Sequence, residues 1–259
     1  MKTSIYRLPL FALLFTTAMV NLQADSIQDL KQRLSNGDPS VRAAAMQHFL
    51  DSLGRVNGEA LMGPAVPVLV EALNDPDVKV RQLAATGLKG IAMLTSPIVY
   101  PSTIYGLDLT ANPATQQALL KATSDSDPTV SRLALQAYAF TYKLTPDLEQ
   151  KIIDAFNSYK SAPGQSDDRF ELLGLLVNDR SPSPVATNFI IQKIDDPQFG
   201  TTALQSLASL KQPPADALPK LLSEAGQHNI SEDRKSALRR AAKAYGPNAQ
   251  AQLEQALKK

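Results

Sequence analysis

The chain has no cysteine and no tryptophan. Without cysteine there is no disulfide, no thiolate metal ligand, no cysteine nucleophile and no lipid-modified N-terminal cysteine. Aromatic residues fill only 6% of the 259 positions although 44% are hydrophobic, so the apolar content rests on aliphatic side chains, Ala and Leu above all. That much apolar surface buries a sizeable core and excludes a wholly disordered chain. The palette suits closely packed helices better than a β-sandwich, which draws on β-branched and aromatic residues. Histidine is scarce as well: His48 and His228 stand far apart, neither with a second ligand at metal spacing. Packing or surface roles therefore fit them better than catalysis or metal binding. The sequence also lacks a G-x-S-x-G elbow, a phosphate loop, an H-E-x-x-H pair and a calcium loop. No catalytic residue, metal or cofactor is assigned.

An excess of charge of one sign is missing too, with 26 basic residues against 25 acidic. Lys2 and Arg7 precede an apolar run from Leu8 to Val20, and Leu22-Gln23-Ala24 ends in a small residue. Such a run is too short to span a bilayer comfortably and reads as a secretory signal, residues 1–24, cleaved after Ala24. Its removal takes the basic total from 26 to 24 against 25 acidic. A near-neutral chain has no bulk electrostatic reason to bind nucleic acid or an anionic membrane. Export without cysteine suits a periplasmic or secreted protein whose mature chain, residues 25–259, does not insert in the membrane. Asn229-Ile230-Ser231 is a formal glycosylation sequon that such a compartment makes a chance match.

One short pattern recurs along the mature chain. DPSVRAAAM begins at Asp38, DPDVKVRQLAATGL at Asp75, DPTVSRLAL at Asp127 and DPQFGTTAL at Asp196. Taking the apolar residue three places after Asp38, Asp77, Asp127 and Asp196 as position zero gives Val41, Val80, Val130 and Phe199; weaker copies have a polar zero, at Asp168 and Asp233. Apolar or Ala residues then follow at offsets four, five and eight, about 40°, 140° and 80° around a helix, which make one broad stripe. These six runs are the second, or B, helices of helical hairpins. Their A partners lie between them, clearest at Val66, Leu69, Val70, Leu73 and at Leu218, Leu221, Leu222, Ala225, which keep i, i+3, i+4, i+7 spacing. Weaker A helices begin near Ser26, Pro113, Thr145 and Pro182, and a last helix runs from about Asn248 to Lys258. The zero positions lie 39, 50, 38, 31 and 34 residues apart, the period of antiparallel helix pairs stacked in a solenoid.

The Asp-Pro turns have a mechanical reason. Asp38, Asp77, Asp127 and Asp196 each sit three residues before position zero. Asp at an N-cap accepts the free N–H groups of the first turn, and Pro is preorganised for the first helical position. Arg42, Arg81, Arg169 and Arg234 follow position zero and lie within the apolar sector, so each is expected to reach an Asp of a neighbouring turn in an Asp–Arg ladder. Asp167-Asp168 and Asp195-Asp196 look like catalytic carboxylate pairs until this register is drawn. They then fall at helix starts, where the dipole favours negative charge.

The Asp-Pro-x-Val-Arg-x-x-Ala-Ala character of residues 38–46 and the run at 75–88 resemble the HEAT-repeat family. That includes the short bacterial HEAT-like repeats also recognised in phycobilisome lyases. The resemblance implies an all-α fold, an α-solenoid forming a right-handed superhelix of about six antiparallel helix pairs. It further implies a concave side lined by B helices that binds another protein, and it carries over no catalytic residue.

Two features go beyond stacking. Residues 95–112, TSPIVYPSTIYGLDLTAN, insert an apolar, Pro-broken segment with Tyr100 and Tyr105, which either folds back over the helix ends or anchors a partner. The outward row of the B helices reads Gln47, Thr86, Gln136, Gly174, Gln205 and Arg239, with Leu83, Leu133, Phe140 and Lys243 beside it. A solvated face would be richer in Lys and Glu; this one suits a protein or peptide partner. The leading expectation is an exported, non-enzymatic, monomeric scaffold that binds a protein or peptide. Two others stand beside it: a lyase-like protein acting on a tetrapyrrole or chromoprotein, on the family resemblance alone, and a purely structural envelope assembly protein.

Overall fold

The computed structural model describes residues 27–53, 59–96, 109, 112–160, 166–178, 181–227 and 229–258. Among these the regular structure is helical, with no strand. Helix α1 covers residues 27–34. Then follow α2 (Pro39–Leu53), α3 (Glu59–Ala72), α4 (Val78–Thr95), α5 (Pro113–Ala122), α6 (Pro128–Thr141) and α7 (Pro146–Ser158). The rest are α8 (Arg169–Leu175), α9 (Pro184–Gln192), α10 (Gly200–Ser209), α11 (Ala217–Ala225), α12 (Glu232–Lys243) and α13 (Pro247–Ala256). A and B helices alternate as the periodicity requires, and the fold is an all-α solenoid. The expected signal segment at 1–24, Tyr100, Tyr105 and His228 lie outside the described residues.

Side-chain caps set where the helices begin. Asp77 accepts the N–H groups of Lys79 and Val80, and Asp127 those of Thr129 and Val130. Asp38 accepts the Ser40 N–H at 2.8 Å. Asp196 takes the N–H groups of Gln198 and Phe199 at 2.9 and 3.0 Å, which starts a tight turn just ahead of α10 rather than α10 itself. Thr145 and Ser183 cap α7 and α9, each followed by Pro in the first turn. The turn before each of the first three Asp caps has its own device: Asn36, Asp75 and Asp125 accept the N–H of Asp38, Asp77 and Asp127 at 2.8–2.9 Å. The two weaker copies start differently. Ser231 caps α12, and at α8 the Arg169 N–H goes to Asp167 while Asp168 makes no side-chain cap bond.

The described helices fall into two compact units, one ending at Ala122 and one beginning at Thr123. In the first, α4 packs on both α2 and α3, and α3 on α5. Met46, Leu69, Leu88 and Ile91 are fully buried there, each stabilising the unit by about 1.5–3 kcal/mol relative to exposure. Gly87 marks a close approach: a Cβ there would come within 2.7 Å of the Leu50 side chain and 3.0 Å of Leu69.

In the second unit α6, α8, α10 and α12 pack in succession, and α7 on α9 and α11 on α13 pack beside them. Leu135, Ile152, Leu172, Leu173 and Ile190 form its fully buried centre. An aromatic cluster joins the middle hairpins. Phe156 meets Phe189 and Phe199 edge-on at centroid distances of 5.2 and 4.9 Å, and Phe170 leans on Phe199 at 4.9 Å. Arg169 lies over Phe199 at 4.7 Å and Lys193 over both Phe156 and Phe189 at 5.0 Å. Phe156, Phe189 and Phe199 are buried with cations over their rings, while Phe170 at the edge of the cluster stays exposed.

Candidate interaction surfaces

The four ladder arginines do different things. Arg42 forms a two-pronged pair with Asp75 of the next turn, both bonds at 2.8 Å, and also donates to the carbonyls of Asn36 and Gly37. The pair is almost fully buried, at 9% and 11% side-chain exposure. Hydrogen bonding to Asp75 raises the Arg42 pKa from its already high value. Arg81 donates to the carbonyls of Asp75 and Pro76 in its own turn. Arg169 departs from the expectation: its guanidinium closes on Asp167, two residues back, because that carboxylate already holds the start of α8. Those bonds hold the Asp167 carboxyl below the usual carboxylate range. Arg234 also departs: its carboxylate partner is Glu224 of α11, and it reaches back to the carbonyls of Ile194 and Asp196.

The cross-turn pair of α6 uses a residue that the register passes over. Ser131 holds the ladder position and bonds the Thr123 carbonyl at 2.8 Å, while Arg132, one place further on, pairs with Asp168 and lies over the Tyr159 ring at 5.1 Å. Burial is the main reason the Arg132 pKa falls below its ordinary value, with nearby negative groups opposing it. The A helices have their own tie: the buried Glu149 carboxylate accepts the Ser183 N–H at 3.0 and 3.3 Å.

The outward row is only partly outward. Gln47, Thr86, Gln205, Arg239 and Lys243 are exposed. Leu83, Leu133, Gln136 and Phe140 are buried, at 6%, 8%, 0% and 6% exposure, which removes them from any surface. The reason is that a stacked B helix is flanked by other B helices as well as by its A partner. Offsets three and ten lie at about 300° and 280°, beside the stripe rather than opposite it. α4 packs on α2 as well as on α3, and in α6 all eight residues from Leu133 to Phe140 are buried. Gln136 Oε1 accepts from Arg132 at 3.4 Å, but its Nε2 has no hydrogen-bond partner among the described residues. Of the exposed groups, Gln47 donates to Asp51 and the Thr86 hydroxyl to the Gln82 carbonyl. Arg239 pairs with Glu254 at 2.8 Å. Gln205 on α10 and Lys243 on α12 are uncommitted, and those two helices are packed together.

No group of three or more His, Asp or Glu side chains among the described residues is placed to hold a metal ion, and no described helix is long and apolar enough to cross a membrane. The geometry is that of a helical-repeat scaffold. Residues 65–93, from α3 through most of α4, match the family model of the HEAT repeat. Three crystal structures of engineered proteins from the Northeast Structural Genomics Consortium are similar in fold. The first is 17% identical, with a TM-score of 0.54 over 89% of this chain and 97% of that one. The second is 18% identical, with a TM-score of 0.56 over 89% of this chain, which spans only 61% of that protein's length. The third is also 18% identical, with a TM-score of 0.51 over 88% and 98%. No curated protein matches the chain. The chain therefore has a helical-repeat fold, with one stretch that matches the HEAT repeat.

Proposed function

We propose that this protein is an exported, non-enzymatic scaffold, monomeric in solution, that binds a protein or peptide partner through exposed positions of its B helices. The observation that carries the reading is that two adjoining B helices, α10 and α12, expose Gln205 and Lys243, both free of intramolecular bonds. HEAT repeats commonly mediate protein interactions, which supports the reading in outline. The exposed Gln205 amide and the Lys243 ammonium offer hydrogen bonding and charge to a partner.

The test is affinity capture from the native cell envelope with Gln205→Glu and Lys243→Glu introduced together. Loss of a specifically retained partner, with the melting temperature unchanged, is the expected outcome; undiminished retention would sink the B-face assignment. Export is tested separately by sequencing the mature N-terminus, which should begin at Asp25. The purified protein should be colourless, and a visible absorption band would favour the chromoprotein reading instead.

A further inference from the structure

A groove of about 550 Å³ opens in the second unit, away from the outward row. It has a structural cause. The A helices α7 and α9 pack together, as do α11 and α13, but α9 and α11 lack comparable packing even though α10 and α12 beside them are in close contact. The stack is therefore closed on the B side and wedged open on the A side at this point. Leu210, itself buried, lies in the wedge; Pro182, Pro184 and Asn188 line one side, and Lys211, Gln212 and Pro214 the other.

The chemistry of the walls narrows what fits. Proline has no N–H, so these stretches of backbone offer few donors, and polar recognition falls to side chains. Asn188 and Gln212 are exposed carboxamides with no intramolecular hydrogen bond. Each presents both donors and an acceptor, which matches the one donor and one acceptor of a peptide group. Lys211 is exposed and unpaired. Asp216, at the start of α11, makes no cap bond with its side chain. The volume lies within the range of roughly 300–1,000 Å³ typical of ligand pockets.

We propose that this wedge is a docking site for a short extended peptide segment bearing an acidic side chain, with Asn188 and Gln212 hydrogen-bonding its main chain and Lys211 pairing with its carboxylate. Charge complementarity at Lys211 selects the acidic residue, and Asp216 disfavours a second one near the start of α11. This site is separate from the B-helix surface proposed above, and the two are distinguishable.

The probe is a random hexapeptide library displayed on phage and panned against the full chain, with selected peptides then synthesised and titrated. Acidic peptides should be enriched. Their affinity should fall about tenfold or more, some 1.4 kcal/mol or greater, for Lys211→Glu and for Asn188→Ala with Gln212→Ala. Lys243→Glu should leave it unchanged. All four altered positions are exposed, so melting curves should overlay and exclude misfolding. Failure to recover any binder, or binders indifferent to the groove changes, overturns the proposal. Binders lost only on Lys243→Glu also overturn it, while favouring the B-helix surface.

Discussion

At Asp127 one carboxylate takes the N–H groups of Thr129 and Val130 at 3.1 and 2.9 Å, two of the donors that the first turn of a helix leaves without partners. Asp127→Ala should cost about 1 kcal/mol. For a protein of this size that lowers the melting temperature by about 2–4 °C, with the helical circular-dichroism signal intact; an unchanged melt would contradict the capping role. Asp75 gives a pH signature. Burial alone would raise its carboxyl, but the bonds from Arg42 and from the Asp77 N–H, with the Arg42 charge, outweigh burial and hold it below its ordinary value. A depressed carboxyl contributes stability that is present above about pH 4 and is lost as the pH falls through its folded value. Asp75→Asn should therefore lower the melting temperature at neutral pH and flatten part of its acid dependence, which thermal melts between pH 2 and 7 would measure. The Asp–Pro spacing makes these caps legible in the sequence. Arg132 is not legible, because the position after Val130 holds Ser131 and one residue of offset conceals the pair with Asp168. The burial of Gln136 is equally hidden: a polar residue opposite a stripe reads as surface until the flanking helices are in place.

Among whole elements, α10 and its surroundings show how tightly a turn is held. A Cβ at Gly200 would overlap the Ile194 carbonyl and the Arg234 guanidinium, so only glycine lets α12 send its arginine across this turn. Gly200→Ala should cost about 1–3 kcal/mol through overpacking. Gly90 is the contrast: it lies in the middle of α4 with nothing within 4 Å of its Cβ position, and Gly90→Ala should stabilise by about 0.5–1 kcal/mol. Differential scanning calorimetry on the two variants should show melting shifts of opposite sign. After α12, Tyr245 donates its hydroxyl to the Pro214 carbonyl at 2.8 Å. Burial first, and the Asp216 charge second, push its phenol up to about 12. A raised value means that the folded state holds the proton more tightly. The associated stability is thus complete below about pH 10 and lost as the pH rises toward the folded value. Tyr245→Phe should cost about 0.5–1.5 kcal/mol near neutrality and remove part of the alkaline loss, as urea unfolding at pH 8 and pH 11 would reveal. The 3.6-residue period shows α3, α4, α6, α11 and α12 in the sequence. It cannot show that α8 spans only seven residues, since there the apolar run Leu172, Leu173, Leu175, Leu176 continues beyond the helix.

On the scale of the molecule, stability in a repeat array is approximately a sum over repeats and their nearest-neighbour interfaces. With no cysteine in the chain, a thiol reductant should leave the melting curve unchanged. The recurrence of one turn and one stripe made the architecture readable, because each copy repeats the same local physics. The interaction surface was less so: exposure along the B helices depends on the neighbouring repeat, which no single copy encodes. The wedge beside α9 depends on a missing A-helix contact, for which the sequence has no signal.

The ties between successive turns share a common reach along the chain. Arg42 to Asp75 spans 33 residues, Glu149 to Ser183 34, Arg132 to Asp168 36 and Arg234 to Ile194 40. Closing a loop costs an entropy that grows only logarithmically with its length, so no one of these contacts is much harder to reach than another. Low contact order favours rapid folding. A chain leaving the ribosome has made each turn's lasting contacts once about one further repeat has emerged, and it need not wait for its own C-terminus.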